Sequence, residues 1–84
     1  MEKNEYKAIL EMAGNKYEGK GETIFDAMNA IKLEWHDIKA KGVFIILHGN
    51  QKAEKLFYLP QLKRIFANDL TMRMWAKNLS LFLK

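Results

Sequence analysis

The sequence predicts an α+β fold of order ββαββα, in which two β-hairpins form a roughly four-stranded sheet with helices mainly on one face. Three observations point there. Residues 6–12 alternate in hydropathy with a period of two, Gly-Asn pairs stand at 14–15 and 49–50, and apolar residues recur at helical spacing after residue 23. A chain of 84 residues suits a single domain, 1–84. Hydrophobic residues at 49% and charged residues at 29% are the proportions of a globular chain, not a disordered one.

The first strand is read from its alternation: Tyr6, Ala8, Leu10 and Met12 share one face, and Lys7, Ile9 and Glu11 the other. Gly14-Asn15 tolerates the positive φ of a tight turn and leads to a second strand around Lys16-Tyr17-Glu18, so residues 5–20 form a hairpin. Gly19-Lys20-Gly21 ends that strand. Thr23 then caps a helix, with Asp26 three residues later in an approximate capping box. Ile24, Ala27, Met28, Ile31, Trp35 and Ile38 fall on one stripe and Gly42 supplies the stop, which predicts a helix over about residues 23–40. The Gly19–Thr23 stretch resembles the Gly-x-Thr junction before the first helix of HicB-type antitoxin domains. That resemblance covers about fifteen residues and brings no functional residue with it.

Val43-Phe44-Ile45-Ile46-Leu47 is continuously apolar, the pattern of a central strand covered on both faces. His48-Gly49-Asn50-Gln51 turns the chain into a fourth strand at about Ala53–Tyr58. Pro60 suits the first turn of a helix whose Leu62, Ile65 and Phe66 face the core. The second half thus repeats the first at an offset of 35, Gly14-Asn15 onto Gly49-Asn50. The last segment, residues 69–83, reads two ways. As a helix it has a stripe of Met72, Trp75, Ala76, Leu79, Phe82 and Leu83, with Asn68 or Asp69 as N-cap and a break from the Pro60 helix. As a hairpin it alternates through Leu70-Met72-Met74-Ala76 and Leu79-Leu81-Leu83 about Lys77-Asn78. The Met, Leu, Ala, Arg and Lys content favours the helix.

Charge is divided along the chain. Residues 1–40 hold six Lys against eight Asp and Glu, a net of −2, and residues 41–84 hold eight Lys and Arg against Glu54 and Asp69, a net of +6. A basic half attracts anionic partners over a Debye length. There is no cysteine, so disulfides, thiolate nucleophiles and cysteine metal sites are excluded. The opening Met1-Glu2-Lys3-Asn4-Glu5 has no apolar signal region, and the longest apolar run is too short to span a bilayer, so the expected location is cytoplasmic.

No catalytic set is legible, and no metal, cofactor or small-molecule substrate is expected. His36 and His48 are the only histidines, and Glu34, His36 and Asp37 do not share one helical face. Thr23, Thr71 and Ser80 have no base at a recognisable spacing. Two classes of binding remain. The first is a non-enzymatic interaction module for a protein partner or a second copy, carried by the apolar residues Phe25, Leu33, Met74 and Leu81 that fall outside the core stripes. Small domains of this kind are typical, by analogy alone, of phage or prophage accessory proteins. The alternative is nucleic-acid binding by Lys52, Lys55, Lys63, Arg64, Arg73 and Lys77.

Overall fold

The computed structural model describes residues 5–84; the opening residues 1–4, on which the absence of a signal region was read, lie outside them. Strands β1 (Tyr6–Met12) and β2 (Asn15–Gly21) form the first hairpin, and β3 (Lys41–His48) and β4 (Gln51–Tyr58) the second. Helix α1 (Ile24–Asn29) and a 3-10 turn at Trp35–Asp37 lie between the hairpins, and α2 (Leu59–Ala67) and α3 (Asp69–Ser80) follow. The sheet is antiparallel throughout, in the order β2-β1-β3-β4. The predicted α+β class and the helical reading of the last segment both hold. The final helix is split as expected: Asn68 accepts hydrogen bonds from the amides of Leu70 (2.8 Å) and Thr71 (3.2 Å), which starts α3 afresh.

The first hairpin turns one residue earlier than the Gly-Asn pair suggested. Its central residues are Ala13 (φ 48°) and Gly14 (φ 84°), both positive, as a type I′ turn requires, and Asn15 already belongs to β2. In the second hairpin only Gly49 has positive φ (61°), the sign pattern of type II′. The repeat therefore has an offset of 36, not 35. Ile9 maps onto Ile45, Lys16 onto Lys52 and Glu18 onto Glu54, each 36 positions on. The same shift carries the β1–β2 register (Tyr6 opposite Gly21) onto the β3–β4 register (Gly42 opposite Phe57). Ile9 and Ile45 are themselves paired, so a pseudo-dyad normal to the sheet passes between them.

The core lies on one face of the sheet. Ala8, Leu10 and Met12 of β1, Phe44 and Ile46 of β3, and Ala53 and Phe57 of β4 are buried there against Ile24, Ala27 and Met28 of α1, Leu62 and Ile65 of α2, and Met72, Ala76 and Leu79 of α3. Phe44 organises the β3–β4 side. Its ring stacks on Phe66 at 5.9 Å and meets Phe57 edge-on at 5.5 Å, and Phe57 in turn meets Trp75 edge-on at 5.0 Å. No residue on the opposite face of any strand is buried. The expectation that Val43–Leu47 is covered on both faces is thus corrected. The strand is internal, but Val43, Ile45 and Leu47 lie on a face that no helix covers among the described residues.

The first helix is also shorter than the predicted 23–40. Thr23 caps it as expected, its hydroxyl accepting the Asp26 amide at 3.0 Å, but it ends at Asn29. Helical residues two apart point to opposite sides. In the observed extended connection, Ile31 is buried and Leu33 still packs against the core, which a continued helix could not arrange. Trp35, assigned to the stripe, is 57% exposed. Gly19 and Gly21 lie within β2, which runs to Gly21, and α1 rests on them. A Cβ at Gly19 would fall 2.8 Å from the Ile31 nitrogen and nearer still to the Ala27 carbonyl oxygen.

Two stability outcomes follow. Gly19→Ala drives a methyl group into α1 backbone and lowers the unfolding free energy by about 2 kcal/mol, measured by denaturant titration. Ala13→Asn supplies a residue that adopts positive φ readily and raises it by about 1 kcal/mol. A gain absent from Ala13→Asn would remove the turn assignment.

Candidate functional site

Helix α3 lies against both α1 and α2. Met72, Ala76 and Leu79 form its buried stripe. At 100° per residue, Leu70, Met74, Lys77 and Leu81 fall almost directly opposite. Leu70 is 77% exposed, Met74 58% and Leu81 75%, and Phe82 beyond the helix is 44% exposed. The result is an outward apolar ridge about 16 Å long. Local sequence explains its position. Asn68 fixes where the helix starts, and hence which residues face inward.

Cations flank the ridge. Arg73 is turned toward α1, its guanidinium 4.1 Å from the centre of the Phe25 ring. Lys55 reaches up from β4 to both Trp75 (5.8 Å) and Phe82 (5.6 Å). Beside the ridge, between α1 and α3, an open cleft of about 400 Å³ is walled by Tyr6, Thr23 and Phe25 on one side and Arg73, Lys77 and Ser80 on the other. Glu22 also lines it, so its charge is mixed.

The second uncovered surface is the helix-free face of the sheet. The registers place Ile9 beside Ile45, Val43 beside Leu56, and Lys41 beside Tyr58, with Leu47 two residues beyond Ile45. Leu56 is 42% exposed and Tyr58 57%. On this face Lys7 bridges Glu18 at 3.2 Å, Lys16 bridges Glu11 at 3.4 Å, and Lys52 approaches Glu54 at 3.8 Å. Such exposed pairs contribute little to stability but keep the strands in register.

The candidate residues are distributed as follows. Met74 and Leu81 are on the ridge, and Phe25 lies under Arg73 at the cleft. Leu33 is not the outward helical residue expected, because α1 ends before it; it is half-buried against the core. Of the basic set, Arg73 and Lys77 meet at the cleft, while Lys63 and Arg64 are exposed on α2. Lys55 is engaged with aromatic rings, and Lys52 is on the opposite face of the sheet. The six cations therefore do not share one surface. His36 contacts Asp37 at 3.5 Å in the 3-10 turn, and His48 stacks on Tyr6 with ring centres 3.8 Å apart. Among the described residues, no group of three His, Asp or Glu side chains converges on one point.

Sequence reasoning found Met74 and Leu81 as residues outside the core stripes, but did not single out Ile9, Leu56 and Tyr58. The signal for these was the alternation itself, which marks a second apolar face only once the first is known to be the sole one covered. No helix is long and apolar enough to cross a membrane among the described residues. Compared with protein-family models, curated proteins and solved structures, the chain matches none.

Because Leu33 reaches the core, Leu33→Asp destabilises the fold by about 2 kcal/mol. Thermal unfolding followed by circular dichroism shows this as a lower midpoint; an unchanged midpoint would mean that the side chain is free.

Proposed function

We propose that this chain is a non-enzymatic interaction module that binds a protein partner along the α3 ridge. What supports this reading is the position of Leu70, Met74 and Leu81, three large apolar side chains exposed in line on a helix whose other face is fully used. The partner is one whose apolar groove has an acidic rim. Arg73 and Lys77 border the ridge, and the half of the chain that carries it has the net charge of +6 (eight Lys and Arg against two acids). An amphipathic helix set into such a groove is a recurring mode of recognition. The ridge supplies the anchors, and the cations supply orientation and association rate.

The test compares Met74→Glu, the double variant Arg73→Glu/Lys77→Glu, and the parent chain as affinity baits in lysate of the source cell, at low and high salt. The ridge reading expects a protein captured by the parent chain, lost with Met74→Glu, and weakened at least tenfold by the double variant or by salt. Capture that is identical with all three baits overturns it. A mobility shift with DNA or RNA that falls steeply with salt and survives Met74→Glu would instead support the nucleic-acid alternative.

A further inference from the structure

We propose that the chain pairs with a second copy of itself edge to edge, β2 against β2 in antiparallel register about a two-fold axis at Tyr17, so that the two four-stranded sheets become one. This edge is separate from the α3 ridge and does not depend on it.

The two edges of the sheet differ. On β4, Lys84 takes both backbone groups of Lys52, and the Gln61 side chain accepts the Tyr58 amide. On β2 the outward groups are open. Ala13-Gly14 is a two-residue turn, so Met12 and Asn15, which close it, form a hydrogen-bonded pair. Asn15, Tyr17, Gly19 and Gly21 therefore spend their amides and carbonyls on β1, and Lys16, Glu18 and Lys20 aim theirs away from the sheet. These three residues are exposed, and their outward backbone groups have no hydrogen-bond partner among the described residues. Two copies paired here use their open edges on each other, which closes the assembly at a dimer.

Charge selects the second copy and its register. The outward groups of one copy meet those of the other only when the axis passes through a residue, and axes at Tyr17, Glu18 or Gly19 overlap most of the strand. An axis at Glu18 sets Glu18 on Glu18 and Lys16 on Lys20. An axis at Gly19 sets Glu18 against Lys20, but it also brings together the two α1 helices, each resting on Gly19 and Gly21. They would lie over strands about 5 Å apart, where packed helices need about 8–10 Å. The axis at Tyr17 sets Lys16 of each copy directly opposite Glu18 of the other, a pair formed twice, and like charges meet only on the longer diagonals. Glu11, 3.4 Å from Lys16, extends the row, so charge alternates from Glu11 through Lys16 to Glu18 of the other copy. On the helix-bearing face, Tyr17 meets Tyr17 at the closer, non-hydrogen-bonded position, where aromatic pairs contribute most. The α1 helices are then carried apart, the two Gly19 residues being about 13 Å from each other along the strands.

Sedimentation equilibrium of the whole chain between about 10 μM and 1 mM tests this, because a short edge contact belongs to the weak end of specific association. The parent chain is expected to pass from monomer to dimer across that range. Glu18→Pro keeps the hydrogen bonds to β1, since the amide it removes points outward, and weakens association at least tenfold. Lys16→Glu and Glu18→Lys each set like charges across the axis and weaken it about tenfold, whereas a 1:1 mixture of these two chains regains association within about threefold of the parent. The mixture carries the test if the proline variant fails to fold by circular dichroism. Lys20→Glu and Met74→Glu do not weaken the dimer. A parent chain monomeric at about 1 mM, a dimer that persists in folded Glu18→Pro or Lys16→Glu, or a mixture no better associated than its components overturns the proposal. So does a dimer lost with Lys20→Glu, which would move the axis, or with Met74→Glu, which would move the interface to the ridge.

Discussion

Burial of the sheet on one face is the constraint on which the rest of this structure depends. Phe44 sits at its centre, from where its ring reaches β4 through Phe57 and α2 through Phe66, while Phe57 carries the contact on to Trp75 of α3. Aromatic pairs at these separations add directional attraction to the large area they bury. They fix which side of the sheet the helices occupy. Once that side is chosen, the strand period of two sends Ile9, Val43, Ile45 and Leu47 to the other. Among the described residues there are three short α-helices to provide cover, and all of them stand on the Phe44 side. The opposite apolar surface is a consequence of that choice.

The same constraint shapes the helical layer. α1 packs on β1 and β2, α2 on β3 and β4, and α3 lies against both helices. Gly19 lets α1 approach the sheet at backbone distance. With its inner face on Phe57 and its sides against neighbours, α3 has one direction left, and Leu70, Met74 and Leu81 point along it. The charge division of the sequence acquires a spatial meaning here. The basic second half is not one basic face: Lys52 is separated from Arg73 and Lys77 by the sheet, and Lys55 and Arg73 are held against rings. What the positive charge can offer a partner is a border for the ridge, not a continuous track.

Backbone pairing at the sheet's outer strand is completed from an unexpected quarter. Lys84 exchanges both backbone hydrogen bonds with Lys52, at 3.1 and 3.3 Å, laying the end of the chain against the free edge of β4. An edge so occupied is a poorer template for strand addition. The uncovered face of the sheet, not this part of its edge, is therefore where apolar surface remains available.

The sequence by itself determined what depends on neighbours in the chain. The alternation of Tyr6–Met12, the cap at Thr23, proline in the first turn of α2, and the Asn68 break are all set by φ preferences, side-chain capping and hydropathy period within a few residues. So was the α3 ridge, because helical spacing is a local rule. Only the tertiary structure decided how far the first helix runs, since the gain in carrying Leu33 to the core exists only when the core is assembled. It alone decided that Val43–Leu47 has a bare side, because an apolar run looks the same whether one face or both are covered. The 36-residue repeat likewise became visible through strand register, as Ile9 and Ile45 are paired across space and not along the chain.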